Sequence, residues 1–179
     1  MLQEKYKKEI IPAMKEKFGY KNDLAVPRIK KVIVNIGIGS FARDEQTQQL
    51  VAKDLALITG QKAVPTQAKK DISAFKVRQG MVVGFKVTLR GKRMFDFIFR
   101  LINVAIPRTR DFRGLSSKSV DKSGNLTIGI REQIIFPEIS SEDIKKIFSL
   151  EVTVVGNAGT REEALELFKL MGFPFKKEE

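Results

Sequence analysis

The chain contains no cysteine and no histidine. The first absence removes disulfides and thiolate chemistry. The second, taken with it, removes the usual zinc sites, Ser/His/Asp triads and any side chain that changes charge near neutral pH without help from its surroundings. A long apolar run is also missing. The opening "MLQEKYKKEIIPAMKEKF" puts charges into every turn and lacks the continuous apolar centre of a signal peptide, and no later run reaches the length of a membrane span. A soluble, cytoplasmic protein is expected. What is present is a globular composition, 42% hydrophobic and 30% charged in 179 residues. That length suits a single domain spanning residues 1–179 with some additional loop.

Acids are scarce where bases are dense. Residues 61–118 hold 14 Lys and Arg against 3 Asp and Glu, residues 1–60 hold 11 against 7, and residues 119–179 hold 8 against 11. The middle third therefore carries +11 of the formal net charge of +12. Scattered lysines would only keep a protein soluble, whereas a concentration of this kind points to a polyanionic partner. A membrane surface wants a basic amphipathic helix with a wide apolar face, and these cations fall mostly on strand-like and loop-like sequence, which favours nucleic acid.

Periodicity places the elements. Leu2, Tyr6, Ile10 and Met14 form one helical stripe, interrupted by Pro12, which should kink or divide the helix. "IKKVIVNIGIGS" alternates as a strand with Val32, Val34, Ile36 and Ile38 on one face and Lys31, Ile33, Asn35 and Gly37 on the other. A helix is expected from Asp44, its cap, to Thr59, with Leu50, Val51, Leu55 and Ile58 inward and Gly60 as its stop. "QKAVPTQ" reads as a short strand weakened by Pro65. In "MVVGFKVTLRG", Val83, Phe85, Val87 and Leu89 alternate with Gly84, Lys86, Thr88 and Arg90. "KRMFDFIFRLINVAI" is an apolar helix ended by Pro107. "LTIGIRE" and "LEVTVVGN" are further strands, separated by "FPEISSEDIKKIF", where Ser140 or Ser141 would cap a short helix. "TREEALELFKLMG" closes the chain as a helix with a Thr160–Glu163 capping box and Gly172 at its end. The expected class is α+β: a mostly antiparallel sheet of about five strands, helices packed on one face, and a long basic loop.

Several suggestive strings fail on inspection. "NIGIGS" lacks the third glycine and the distant acid of a dinucleotide loop, and "RGKR" lacks the early glycine and Ser/Thr of a P-loop. The carboxylate pairs Asp44–Glu45 and Glu162–Glu163 lie at helix starts, where they complement the helix dipole. Phe95, Phe97 and Phe99 lie on helical sequence and Phe85 in the apolar phase of its strand, so no base-stacking sheet signature is present and core packing accounts for most aromatics. The stretch from Lys69 to Met81 is different. It is rich in cations and poor in acids, and each Lys or Arg that neutralises a phosphate releases bound counterions.

At "VNIGIG", "LITGQKAVPTQAKKDISAFKVRQGMVVGFKVTLRG", "IPRTRDFRGLSSKSVDKSGNLTIGIREQIIFPEI" and "EALELFKLMGFPF", the chain resembles the bacterial large-ribosomal-subunit protein five family, which binds 5S ribosomal RNA. The resemblance spans nearly the whole chain. It implies a non-enzymatic constituent of the large subunit, without a cofactor, among its ribosomal RNA and proteins in the central protuberance. It also implies contacts with peptidyl-site transfer RNA and, through an intersubunit bridge, with small-subunit protein thirteen. The family's RNA-recognition positions fall on Asn35, Gln61 and Thr88, with Thr66, Lys62 and Arg90 as lesser candidates. Asn35 and Thr88 already stand in the non-core phase of their strands. Lys69, Lys70, Lys76 and Arg78 are expected to grip transfer RNA phosphates. Arg108, Arg110, Arg113 and Ser116, in a polar connection too long for a simple turn, are expected at the subunit boundary. Two rivals are weighed. A magnesium-dependent nuclease would want converging acids, but Asp71, Asp96 and Asp111 are scattered. A general single-strand binder would show no preference for a folded RNA.

Overall fold

The computed structural model describes residues 2–39, 44–139 and 146–176. Its core element is a five-stranded antiparallel sheet with packed helices, an α+β fold, in the order β2-β3-β1-β5-β4. The strands are β1 (Lys31–Gly37), β2 (Val64–Gln67), β3 (Val82–Leu89), β4 (Leu126–Ile130) and β5 (Leu150–Val155). The helices are α1 (Leu2–Lys5), α2 (Ile11–Phe18), α3 (Glu45–Thr59), α4 (Gly91–Arg100) and α5 (Arg161–Met171). The chain divides into two compact units, one of Met1–Val32, Arg90–Ile128 and Thr153–Glu179, the other of Ile33–Leu89 and Gly129–Val152.

In the first unit the expected N-terminal stripe forms, and Leu2, Ile10 and Met14 are buried. Tyr6 is half-buried, its hydroxyl donating to the Pro27 carbonyl at 2.9 Å. Pro12 divides the helix without ending it: between α1 and α2 the Tyr6–Ile10 segment widens to a π-helix, and the Ile11 N–H donates to the Tyr6 carbonyl. Proline has no N–H to continue the ordinary ladder, and one wider turn absorbs the mismatch. A second π segment, Leu101–Ala105, extends α4 and stops before Pro107. Along this face Met94, Phe97, Ile98 and Leu101 are buried. From α5, Ala164, Leu167, Phe168 and Met171 are buried as well, and Phe168 meets Phe173 edge-on at 5.6 Å. Each fully buried large side chain contributes about 1.5–3 kcal/mol relative to exposure. The Thr160–Glu163 capping box and Gly172, in the left-handed conformation, bound α5 as the sequence predicts.

In the second unit, α3 runs between the predicted cap Asp44 and the predicted stop Gly60. Hydrogen bonds from the Thr47 hydroxyl and backbone N–H hold the Asp44 carboxyl below the usual carboxylate range. Val51, Leu55 and Ile58 turn inward as expected, while Leu50 is only half-buried. The buried apolar side chains of this unit also include Val34, Ile36 and Ile38 of the β1 run and Phe85, Val87 and Leu89 of β3. Pro65 sits on β2, an edge strand, where a missing ladder donor is tolerated. The helix expected to be capped by Ser140 or Ser141 lies outside the described residues. Just before it, Gln133–Ile135 forms a single 3-10 turn.

Candidate nucleic-acid interface

The second unit presents the sheet side that its core does not use. Along β1 the buried Val34 and Ile36 alternate with the exposed Asn35 and Gly37, and along β3 the buried Val87 and Leu89 alternate with the exposed Lys86 and the half-buried Thr88. The pairing of β2 with β3 sets Val64 opposite Lys86 and Thr66 opposite Gly84. Directly opposed residues share a face, so Thr66 and Lys86 stand on the outward side together.

The three positions that the resemblance marks reach this side by different routes. Asn35 arrives by strand alternation alone. Gln61 arrives through the end of α3. Gly60, at φ +69°, turns the chain, and the Thr59 hydroxyl donates to the Leu55 carbonyl at 2.7 Å and to the Gln61 carbonyl at 3.1 Å. Held this way, the Gln61 side-chain amide donates to the backbone carbonyl of Thr88 at 3.3 Å. Gln61 and Thr88, 27 residues apart in sequence, are thereby joined, with the Thr88 hydroxyl and the Gln61 side-chain Oε1 left for a partner. Lys62 is exposed beside them, and Arg90 is exposed just after β3, where it precedes α4 without a capping bond.

Gly84 determines how Thr66 lies. A Cβ at Gly84 would stand 2.6 Å from the Ile36 carbonyl oxygen and 2.8 Å from the Thr66 hydroxyl oxygen, so glycine alone lets that hydroxyl rest across β3. Sequence reasoning gave Gly84 no role, because its requirement comes from a neighbouring strand. It likewise passed over Lys86, although the alternation had placed it in the outward phase. Asn35 also borders a groove of about 410 Å³ lined by Gly37, Gly129, Arg131, Ser149 and Glu151, none of which the sequence had marked as a site residue.

The basic arm between β2 and β3 is built as a tight hairpin. Ala68 and Met81 bond at 2.9 Å, and Gly80 donates back to Ala68 at 3.0 Å. Farther out, Ile72 and Val77 exchange bonds of 2.9 and 3.2 Å around a 3-10 turn, Ser73–Phe75, which Lys76 closes in the left-handed conformation at φ +53°. Asp71, the arm's only acid, accepts the Gln79 backbone N–H at 2.7 Å and so serves the hairpin. Lys69, Lys70, Lys76 and Arg78 are all exposed.

In the first unit, the connection after Pro107 is anchored from below. Leu115 donates to the Pro174 carbonyl at 2.7 Å and accepts from Lys176 at 2.9 Å, while the Arg161 guanidinium donates to the Val120 and Ser117 carbonyls at 3.1 and 2.7 Å. Arg108, Arg110, Arg113 and Ser116 remain exposed on this pinned segment. The Ser116 hydroxyl accepts from the Lys118 N–H at 3.3 Å. Among the described residues no three metal-ligating side chains converge, and no helix is long and apolar enough to cross a membrane.

Comparison with known proteins adds the family context. A family model described as "Ribosomal protein L5" matches residues 22–78, and a second, for the C-terminus of that same ribosomal family, matches residues 82–175. The chain is 52% identical over 177 residues to the large ribosomal subunit protein uL5 of Halothermothrix orenii, covering 99% of both chains. It is 50% identical over 177 residues to that of Dictyoglomus turgidum, again covering 99% of both. With the protein of the same name from Carboxydothermus hydrogenoformans it shares 51% identity over 176 residues, 98% of each chain.

Proposed function

We propose, from the premise that this chain belongs to the ribosomal protein L5 family, that it holds 5S ribosomal RNA against the outward side of the sheet in its second unit. Membership makes the chain a structural, non-enzymatic constituent of the large ribosomal subunit, associated there with ribosomal RNA and proteins. The finer reading rests above all on the bond from the Gln61 amide to the Thr88 carbonyl, which fixes two RNA-recognition candidates side by side. Amides and hydroxyls both donate and accept, which suits a surface that must read shape and 2′-hydroxyls. The outward positions of β1, β2 and β3 carry no aromatic side chain, and this favours a folded RNA over a single strand, whose bases need stacking platforms. Lys62, Thr66 and Arg90 supply further polar and cationic contacts at the margin.

The arm carries the contact with peptidyl-site transfer RNA. Its cations are exposed on a hairpin closed by its own backbone bonds, which lowers the conformational entropy lost when phosphates are gripped. The pinned connection with Arg108, Arg110, Arg113 and Ser116 faces small-subunit protein thirteen across the subunit boundary. Solvated rim charges of this kind steer and register an encounter more than they strengthen it, and their effect fades with salt.

The 5S assignment is tested by sedimenting a tagged chain with ribosomal subunits and sequencing the RNA that copurifies after the subunits are dissociated. 5S RNA is expected as the enriched species, and a mixture of unstructured RNAs would favour the general single-strand binder. The bridge is tested with a photoreactive group at Ser116 in intact ribosomes. A crosslink to the small-subunit protein is expected; capture of ribosomal RNA alone would return these arginines to the RNA footprint.

A further inference from the structure

Phe75 stands in the terminal turn of the arm with 75% of its surface exposed, and Ile72 beside it is 46% exposed. Neither belongs to a core. An apolar groove of about 900 Å³ runs along the same hairpin, lined by Phe75, Ile72, Val77, Val83 and Ala68 with Lys69 and Lys70 among its walls. An exposed apolar patch with cations around it marks a contact surface, and the charge selects the partner. A second copy of this chain would bring a second set of like charges against the first. A nucleic acid brings the opposite charge and a flat π-face.

We propose that Phe75 and the groove beside it take an unpaired nucleobase of a folded RNA, stacked on the ring while Lys69, Lys70, Lys76 and Arg78 hold the flanking phosphates. The base must be unpaired because a duplex keeps its base faces inside the stack and offers an aromatic ring only phosphates and groove edges. The hairpin bonds between Ile72 and Val77 and the closed turn at Lys76 fix the backbone that carries the ring. Stacking therefore costs little ordering. This inference rests on the reading of the arm as an RNA grip and adds to it a chemical requirement, the aromatic ring, that cations alone do not impose.

The chain has no tryptophan, so F75W introduces a single indole at the tip. The full-length variant is titrated with a transfer RNA transcript and, separately, with a blunt RNA duplex. Transfer RNA is expected to quench the indole and shield it from acrylamide; the duplex is expected to bind through the cations without quenching. In parallel, F75A and F75L should bind transfer RNA roughly tenfold more weakly, while F75Y and F75W retain the parental affinity. None of these variants should shift the melting temperature, given the exposure of the site. Parental affinity in F75A, equal quenching by both RNAs, or an indole signal that changes when the protein alone is concentrated would overturn the proposal. The quadruple variant K69A/K70A/K76A/R78A separates the two levels. If it binds transfer RNA like the parent, or if the parent binds none, the arm is not an RNA grip and both readings fall. If it binds weakly while F75A does not, only the stacking falls.

Discussion

Replacing Asn35, Gln61 and Thr88 together by alanine is expected to lower 5S RNA affinity by more than about a hundredfold while leaving the fold intact. A buried hydrogen bond to a partner that loses its mate costs about 1–3 kcal/mol, so even the lower bound at three positions sums to about 3 kcal/mol. The single variants should each lie within that range but need not add, because two of the positions are physically joined. Q61A removes both the contact to RNA and the bond to the Thr88 carbonyl, so it should cost the most. T88A keeps that carbonyl and tests the hydroxyl alone. Asn35 is exposed on the side of β1 away from the core, so N35A should leave the thermal melt where it was. Filter binding at fixed ionic strength is the appropriate measurement, since the lysine contacts make affinity salt-dependent whatever the polar side chains do. Parental affinity in the triple variant would remove the outward side of the sheet as the 5S interface.

The largest loss of stability is expected at Gln133. Its side chain is fully buried, its amide donates to the Lys146 carbonyl at 2.6 Å, and its oxygen accepts the buried Phe148 N–H at 2.9 Å. One side chain thus satisfies a donor and an acceptor of the backbone leading into β5. Q133L keeps most of the volume and removes both bonds. Each lost bond to a buried backbone group costs about 1–3 kcal/mol, so a total of about 2–6 kcal/mol is expected. For a chain of this size that corresponds to a fall of roughly 4–24 °C in melting temperature. Q133E keeps an oxygen to accept from Phe148 but loses the donor and brings a charge into the interior, so it should be no better than Q133L. Thermal unfolding followed by circular dichroism decides the matter. A melting temperature indistinguishable from the parent's would mean that water or a local rearrangement replaces both bonds.

Much of this molecule was legible before it folded, and the legible parts share a cause. Strand alternation in "VIVNIGI" depends only on the pleat of one strand, and it placed Asn35 outward without knowledge of any neighbour. The caps at Asp44 and Gly60 and the box at Thr160 and Glu163 depend on hydrogen bonds spanning three or four residues. The weakening of the short strand at Pro65 and the end of the apolar helix at Pro107 follow from proline's missing N–H and fixed ring. Charge is similarly local: the basic middle third announced an anionic partner, and the resemblance named the family to which the chain proves to belong. Other features depended on pairing between distant segments. Gln61 meets Thr88 only because α3 ends beside β3, and Gly84 is required only because Ile36 and Thr66 close over it. The arm, read from sequence as a cationic loop, is a bonded hairpin whose tip displays Phe75 because Ile72 and Val77 find each other across the turn. Gln133 reads as one more polar residue in a connection until Lys146 and Phe148 arrive to use both ends of its amide. Sequence by itself therefore determined the elements, their faces and the sign of the partner, because backbone geometry and net charge act over a few residues. Tertiary structure alone decided which side chains on those faces touch, because register, close approach and the satisfaction of buried polar groups are properties of two segments at once.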